Sequence, residues 1–145
     1  MTTETLTTAA IEALAYDALV AAGTMADNAR PVAFATAVTE AMGVASHGLA
    51  YVPIYCEHVR CGKVLGDAVP QVSIPRPGVV RVDAGHGFAH SAITAGFGPL
   101  LDAAREVGVA ALAIRRSYNC GVLGVHVQGL AEAGMIGIGF TNAPA

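Results

Sequence analysis

The spacing of apolar residues predicts three helices in the first 65 residues. In residues 8–22 apolar side chains recur at helical spacing, and Gly23 supplies a C-terminal stop. A second helical stretch begins near Asp27 or Asn28, both good N-caps, and tolerates a proline close to its first turn before it ends at Gly43. We expect one face of this second helix to carry Phe34, Val38 and Met42.

A third helix is expected to end at Gly62, and its start has two interpretations. Ser46 has the character of an N-cap, which would place His47 at or just before the helix N-terminus. Pro53 either kinks this helix or marks its true start. Under both interpretations the first 65 residues form a helical region.

The rest of the chain alternates between extended and helical patterns. Short extended or apolar runs lie at residues 71–74, 79–83, 109–114 and 135–140, and helical spacing lies at residues 90–107 and 121–133. The segments after residue 109 predict a strand–helix–strand unit. The fold class is therefore α/β (α+β), with a helical region at residues 1–65 and an α/β region at residues 70–145. No further crossover follows the last predicted strand, so we expect a truncated chain.

Composition narrows the classes of function. At 145 residues, of which 54% are apolar, the chain is long enough to form one domain with a hydrophobic core. Lys and Arg number only 8 and are scattered, so no basic face is expected for nucleic acid. No apolar run approaches the roughly 18 residues of a membrane span, and the N-terminus lacks the basic start of a secretion signal. We expect a cytoplasmic protein.

The pair Ser46-His47 is the first candidate for chemistry. A neutral imidazole can accept a proton from a hydroxyl group, an effect typically worth about 10²–10⁴-fold in rate. At a helix N-terminus the positive end of the helix dipole would favour the neutral ring, and Ser46 could orient that ring by a hydrogen bond. A capping serine followed by an exposed histidine is the alternative interpretation.

Two further segments carry side chains that bind metals or ligands. Cys56, His58 and Cys61 are zinc-ligand types, but in a helix the two cysteines would point about 140° apart. We therefore expect structural thiols and no metal site. Residues 83–90 combine a carboxylate, glycines and two histidines after a strand, which suits either the close approach of a ligand or a simple turn.

The loop at residues 117–124 follows the predicted strand 109–114, where backbone N–H groups can meet a phosphate. It lacks the G-x-G-x-x-G fingerprint of the standard dinucleotide fold, so an ordinary strand-to-helix turn is the alternative. Arg115 and Arg116 precede the loop, and either could face a carboxylate or phosphate. One of these two neighbours in a strand should point outward.

Four segments, taken in order, resemble the malate/L-lactate dehydrogenase family, which also includes ureidoglycolate, sulfolactate and piperideine-carboxylate reducing enzymes. They are S-H-G-L-A-Y-V-P-I-Y from Ser46, Val82-Asp83 with the glycines after it, the loop 117–124, and G-F-T-N at residues 139–142. The resemblance spans nearly the whole chain, and the combination is specific although no single segment is. It implies that this chain is the N-terminal part of a longer homodimeric protein, ending in the start of a non-Rossmann, mixed-sheet cofactor domain.

The same resemblance implies hydride exchange between NAD or NADP and a 2-hydroxy or 2-oxo acid of the malate or lactate type. Ser46 and His47 match the catalytic serine and histidine of the family, and Tyr51 and Asp83 are the candidates for substrate contact. The positions that would contact the cofactor are Asn119, Cys120, Gly121, Val122, Leu123, Thr141, Asn142 and Ala143.

Two residues depart from the family pattern. Tyr51 stands where the family usually has an arginine for the substrate carboxylate, and a phenol cannot form a bidentate ion pair. Asn119 stands where the family usually has a histidine, and an amide cannot shuttle a proton at neutral pH. These departures and the short chain leave one alternative, an inactive fragment or degenerate paralogue that serves as a dimerisation partner.

Overall fold

The structure is a computed structural model that describes residues 4–142. Within that range the chain forms helices and a three-stranded sheet. The elements are α1 (Thr8–Ala21), α2 (Ala26–Ala41), two 3₁₀ turns (Ala45–His47 and Leu49–Tyr51), α3 (Val52–Arg60), β1 (Gln71–Arg76), β2 (Val79–Asp83), α4 (Ala89–Val107), β3 (Ala111–Arg115) and α5 (Leu123–Glu132).

Helix α1 begins and ends as its local sequence directs. The Thr7 hydroxyl accepts a hydrogen bond from the amide of Ala10, which caps the first turn. After Ala22 the backbone takes a left-handed conformation at Gly23 (φ 104°), where glycine carries no steric penalty. The predicted first helix is thus confirmed to within one residue.

The predicted capping role of Asn28 is wrong. Helix α2 starts at Ala26 with Met25 as a cap residue that makes no side-chain hydrogen bond, so Asn28 lies inside the first turn. Its buried amide donates to the carbonyls of Gly66 and Ala68, at 2.9 Å each. A buried amide must find partners, and here they come from a loop about 40 residues away in sequence, which local propensity cannot reveal.

The apolar face expected for α2 does not form the packing surface. Phe34 and Met42 are 54% and 46% exposed. The face that packs against α1 is instead built of small side chains such as Ala29 and Ala33, both fully buried. Small residues allow the two helix backbones to approach closely, and the larger apolar residues are left outside.

Helix α3 starts at Val52, with Pro53 in its first turn, so the second interpretation of its start is confirmed. Ser46 is not an α-helix N-cap. It lies in the middle of the first 3₁₀ turn, and Gly48 separates that turn from the next. The helix ends as expected, with Gly62 in the left-handed region at φ 75°.

The sheet is mixed, as expected, with strand order β1-β2-β3. Strands β1 and β2 pair antiparallel, and β2 and β3 pair parallel, with Val82 opposite Ile114. Helix α4 packs on one face of β2 and β3. Gly96 permits this approach, because a Cβ atom there would lie only 2.6 Å from a methyl carbon of Leu112.

The strand expected at residues 135–140 is absent from the described part of the chain, so the strand–helix–strand prediction is wrong in its last element. Residues 135–142 have no regular secondary structure. Ile136, Ile138 and Phe140 are 96%, 74% and 89% exposed. An apolar run becomes a strand only when a neighbouring strand satisfies its backbone groups, and β1, β2 and β3 pair only with one another.

Buried residues form two clusters. The first lies among α1, α2 and α3 and includes Val64 and Phe88, and the second lies between the sheet and α4 around Val80 and Val82. Phe88 directly precedes α4, so the first turn of that helix lies beside both clusters. None of the helices described has an apolar stretch long enough to cross a bilayer.

Candidate active site

The Ser46 and His47 side chains are exposed and contact each other. Ser46 Oγ lies 3.0 Å from His47 Nδ1, so the expected hydrogen bond is present. The expected helix-dipole effect is not, because His47 is the last residue of a three-residue 3₁₀ turn rather than the first of an α-helix. With Nδ1 engaged by the serine, Nε2 is the ring nitrogen left to meet a substrate.

Aromatic rings lead from this turn towards the loop at residues 117–124. The rings of His47 and Tyr51 are parallel to within 5°, with centroids 6.0 Å apart. Tyr51 meets Tyr55 edge-on at 4.8 Å, and Tyr55 meets Tyr118 at 6.0 Å. Such geometries stabilise ring pairs beyond the area they bury. The sequence motif and the predicted cofactor loop are therefore in contact through a chain of rings.

The Asn119 side chain accepts hydrogen bonds both from helix α3 and from its own loop. Its side-chain oxygen accepts a hydrogen bond from the Tyr55 hydroxyl at 3.4 Å and another from the backbone amide of Gly121. Tyr55 is buried, and that burial raises the pKa of its phenol well above the ordinary value. Tyr55 therefore stays a neutral donor, and Asn119 shapes the loop through its amide oxygen. Sequence reasoning missed Tyr55.

Two histidines lie beneath the same loop. His90 is buried in the first turn of α4, and its Nδ1 has no hydrogen-bond partner among the described residues. Its ring centroid is 5.4 Å from that of His126, whose Nε2 lies 2.7 Å from the Cys120 carbonyl and donates to it. Burial, with a smaller contribution from His126, lowers the pKa of His90 to about 3. Its ring is therefore neutral at physiological pH.

Gly121 allows the loop to lie against these rings. Its φ of 65° is in the left-handed region, and a Cβ atom there would lie 3.1 Å from His90 Nε2. The sequence marked His90 only as part of a glycine-rich segment and gave no signal for His126. Both are recognised only in the folded chain, where their rings lie close together.

The hydroxyl group of Tyr118 contacts His58. The Tyr118 hydroxyl and His58 Nδ1 form a short hydrogen bond, and His58 Nε2 lies 3.4 Å from Lys63 Nζ. Burial and the nearby Tyr51 phenol raise the pKa of Tyr118 to about 12. His58 thus fixes one edge of the loop.

The cysteine thiols are engaged with backbone carbonyls. Cys56 is buried and donates to Ala18, and Cys61 donates to His58. Burial raises the pKa of the Cys56 thiol. Among residues 4–142, no three or more His, Cys, Asp and Glu side chains are placed to hold a metal ion.

Asp83 pairs with both neighbouring arginines. Arg115 and Arg116 reach its carboxylate at 2.8 and 2.7 Å, and the Gly85 amide donates to it at 3.0 Å. These donors, Arg116 foremost, hold the pKa of Asp83 well below its usual range. The expectation that one arginine points away is wrong, because Arg116 has φ 50° and the strand geometry ends there. Contact of Asp83 with a substrate stays a prediction.

A cavity of about 350 Å³ opens between α4, β3 and the start of α5. Its size lies in the usual range of ligand sites. Four of the predicted cofactor positions line it, namely Cys120, Leu123, Thr141 and Asn142. The lining also includes Ala89, Ile93, Leu112, Ile114, Ser117 and Phe140.

The other predicted cofactor positions that the structure describes are not among the residues that line this cavity. Asn119 and Gly121 bond to each other within the loop, and Val122 is the cap residue of α5. Ala143 lies outside the described residues. Ser46 and His47 are not among the residues that line the cavity. The rings of Tyr51 and Tyr55 connect them to the loop that borders it.

Comparison with known proteins identifies relatives of this chain. A family model described as malate/L-lactate dehydrogenase matches residues 6–145. The chain is 42% identical over 134 residues to the (2R)-3-sulfolactate dehydrogenase (NADP(+)) of Chromohalobacter salexigens, covering 92% of this chain and 40% of that protein. It is 39% identical to the Delta(1)-pyrroline-2-carboxylate reductase of Ancylobacter novellus, covering 94% and 40%.

Solved structures show the same relationship. The crystal structure of delta1-piperideine-2-carboxylate reductase from Pseudomonas syringae superposes with a TM-score of 0.88 at 37% identity, covering 91% of this chain and 40% of that one. Malate dehydrogenase from Entamoeba histolytica matches with a TM-score of 0.84 at 22% identity, covering 92% and 37%, which shows the fold alone. The chain therefore spans about two-fifths of the length of these relatives.

Proposed function

The chain belongs to the malate/L-lactate dehydrogenase family, and on that premise we propose that it serves hydride exchange between NAD(P) and a 2-hydroxy or 2-oxo acid. The observation that carries the proposal is the hydrogen bond between Ser46 and His47, in a turn linked by aromatic contacts to the loop at residues 117–124. The relatives named above are a dehydrogenase and reductases, which supports the reaction class.

His47 is proposed as the group that moves the substrate proton. Oxidation of a 2-hydroxy acid removes a hydride from C2 and a proton from its oxygen, and reduction returns both. When Ser46 donates to Nδ1, the proton of the neutral ring sits on Nε2, ready to be given to a 2-oxo group; the opposite tautomer leaves Nε2 able to accept one. Parallel stacking on Tyr51 fixes the plane of the ring.

The residues around the 350 Å³ cavity fit part of a nicotinamide nucleotide. Hydroxyl and amide groups of Ser117, Thr141 and Asn142 can hydrogen-bond ribose or amide groups, and Leu123 and Ile93 offer apolar contact. When bound, the nicotinamide supplies hydride acceptance and return. The close contact of the Gly121 backbone with His90 supports the loop that would hold this group.

Tyr51 is proposed to line the substrate site beside His47. It offers one hydroxyl and an apolar ring in place of an arginine guanidinium group, so any substrate carboxylate near it gains only a single hydrogen bond. Malate and lactate are the first substrates proposed, and the relatives extend the set to be tested. We also propose a cytoplasmic homodimer in which residues 1–65 and 70–145 contribute the catalytic turn and the cofactor loop respectively.

The test is binding and turnover by the purified chain. Calorimetric titration with NADPH and NADH is combined with assays of malate, lactate and (2R)-3-sulfolactate oxidation by NADP⁺ or NAD⁺, and of Delta(1)-pyrroline-2-carboxylate reduction by NADPH or NADH. We expect saturable coenzyme binding and turnover of at least one acid. Thr141→Val should weaken coenzyme binding about fivefold, as loss of one hydrogen bond predicts, whereas Thr94→Val on the exposed side of α4 should not. Absence of both coenzyme binding and turnover would refute the proposal for this chain.

A further inference from the structure

Glu40 reaches from the last turn of α2 to the segment that follows His47. Its Oε1 accepts a hydrogen bond from the Leu49 amide at 2.6 Å, across nine residues of sequence. The contact is partly buried. A carboxylate acceptor makes a hydrogen bond shorter and roughly twice as strong as a neutral one.

Gly48, which joins His47 to Leu49, is buried against the same side chain. A Cβ atom at this position would collide with the Glu40 carboxylate. There is therefore no room for a Cβ atom at this position unless the Glu40 side chain moves. The obstructing atoms belong to a flexible side chain, so an added methyl group would displace Glu40 and break its bond to Leu49.

The backbone of the Ser46-His47 turn is otherwise held by short-range hydrogen bonds, such as that from the His47 amide to the Val44 carbonyl at 3.0 Å. Both side chains are exposed, and the turn contains only three residues. One of its backbone hydrogen bonds, from the Gly48 amide to the Ala45 carbonyl, is long at 3.3 Å. The Glu40 contact therefore supplies a strong link between this turn and the buried helix pair α1 and α2.

We propose that Glu40 is the positioning residue of the Ser46-His47 pair, holding the His47 backbone in place through the Leu49 amide. The expected effect of Glu40 on turnover rests on the proposed function, whereas its expected effect on the position of the His47 ring does not. Glu40 acts through an acceptor oxygen and not by proton transfer. A glutamine side chain can therefore replace it, and an alanine side chain cannot.

The experiment compares Glu40→Ala, Glu40→Gln and Gly48→Ala with Glu57→Ala, which removes an exposed glutamate from α3. We expect Glu40→Ala and Gly48→Ala to lower kcat by about tenfold or more, because small displacements of catalytic groups have large effects on rate. Glu40→Gln and Glu57→Ala should stay within about threefold of the parent chain. NADPH affinity should be unchanged in all four, since no altered residue lines the cavity.

A second readout does not depend on activity. The ring-proton NMR signals of His47 report its stacking on Tyr51, and they should shift in Glu40→Ala and Gly48→Ala but not in Glu40→Gln or Glu57→Ala. If the parent chain shows neither coenzyme binding nor turnover, the proposed function fails while the NMR signals still decide the role of Glu40. Unchanged His47 signals in Glu40→Ala, or equal loss in Glu40→Gln and Glu40→Ala, would overturn the positioning role.

Discussion

Mild acid should destabilise this chain through His90. The ring is buried in the first turn of α4 against His126 and Tyr55, and its pKa is lowered to about 3 in the folded chain. In the unfolded chain the ring has the ordinary histidine pKa of about 6.5. Between these two values the unfolded chain binds a proton that the folded chain does not, so stability falls as the pH falls.

The size of the effect follows from the two pKa values. The titration of His90 should leave the free energy of unfolding nearly unaffected at about pH 7.5 and lower it by about 2 kcal/mol at about pH 5. Below about pH 6 the loss is on the order of 1.4 kcal/mol for each pH unit. This is a large part of the 5–15 kcal/mol that stabilises a typical domain. The stability contributed by the neutral His90 ring is therefore present above the histidine pKa of the unfolded chain and is lost as the pH falls below it.

The perturbation is His90→Gln, which removes the titrating group and keeps a polar side chain. Urea unfolding followed by circular dichroism gives the free energy of unfolding at several pH values. We expect the variant to lose about 2 kcal/mol less than the parent chain between pH 7.5 and pH 5. The matched control is His86→Asn, because His86 is exposed at φ 64° and asparagine tolerates that conformation. Equal losses in the parent chain and His90→Gln would refute the reasoning, whatever the stability of the variant at neutral pH.

Three further predictions concern the contacts that support the site. Asn28→Ala removes one buried and one partly buried hydrogen bond and should lower the free energy of unfolding by about 2–3 kcal/mol in urea titration, and a loss near zero would contradict it. Tyr55→Phe keeps the ring but removes the donor to Asn119, so calorimetry should show NADPH affinity reduced a few-fold; full affinity would argue against this role. Asp83→Asn removes the carboxylate that pairs with two arginines. Because the pKa of Asp83 is depressed, its contribution is present above about pH 4 and lost in more acid solution, so the stability gap between parent and variant should close there. A gap that stays constant would count against it.

Where local rules decide the structure, the sequence predicts it well. Helix α1, strand β2 and helix α4 lie within one or two residues of their expected ranges. Each has a periodic pattern and a clear boundary, such as Gly23 or Gly108, both in the left-handed region. The hydrogen bond between Ser46 and His47 was also predictable, because the two residues are adjacent in sequence.

Where distant residues decide the structure, the sequence misleads or gives no signal. Asn28 resembles a helix cap but serves a loop about 40 residues away, and the run at residues 135–140 has no strand to pair with in the described structure. Within the site, Glu40 meets Leu49 and Tyr55 meets Asn119 only after the helices pack. No periodicity or short motif encodes such pairs, so they emerge from tertiary structure alone.

Transfer of the substrate proton by His47 is tested most directly by the turnover of His47→Ala. The measurement is kcat/KM of the parent chain and the variant with the best substrate of the panel, using NADP⁺ for a 2-hydroxy acid and NADPH for an imino acid, together with the calorimetric affinity for NADPH. A reduction of kcat/KM by about 10²–10⁴-fold, with coenzyme affinity unchanged, is the predicted result. Undiminished turnover by His47→Ala would contradict the assignment of the proton to this residue.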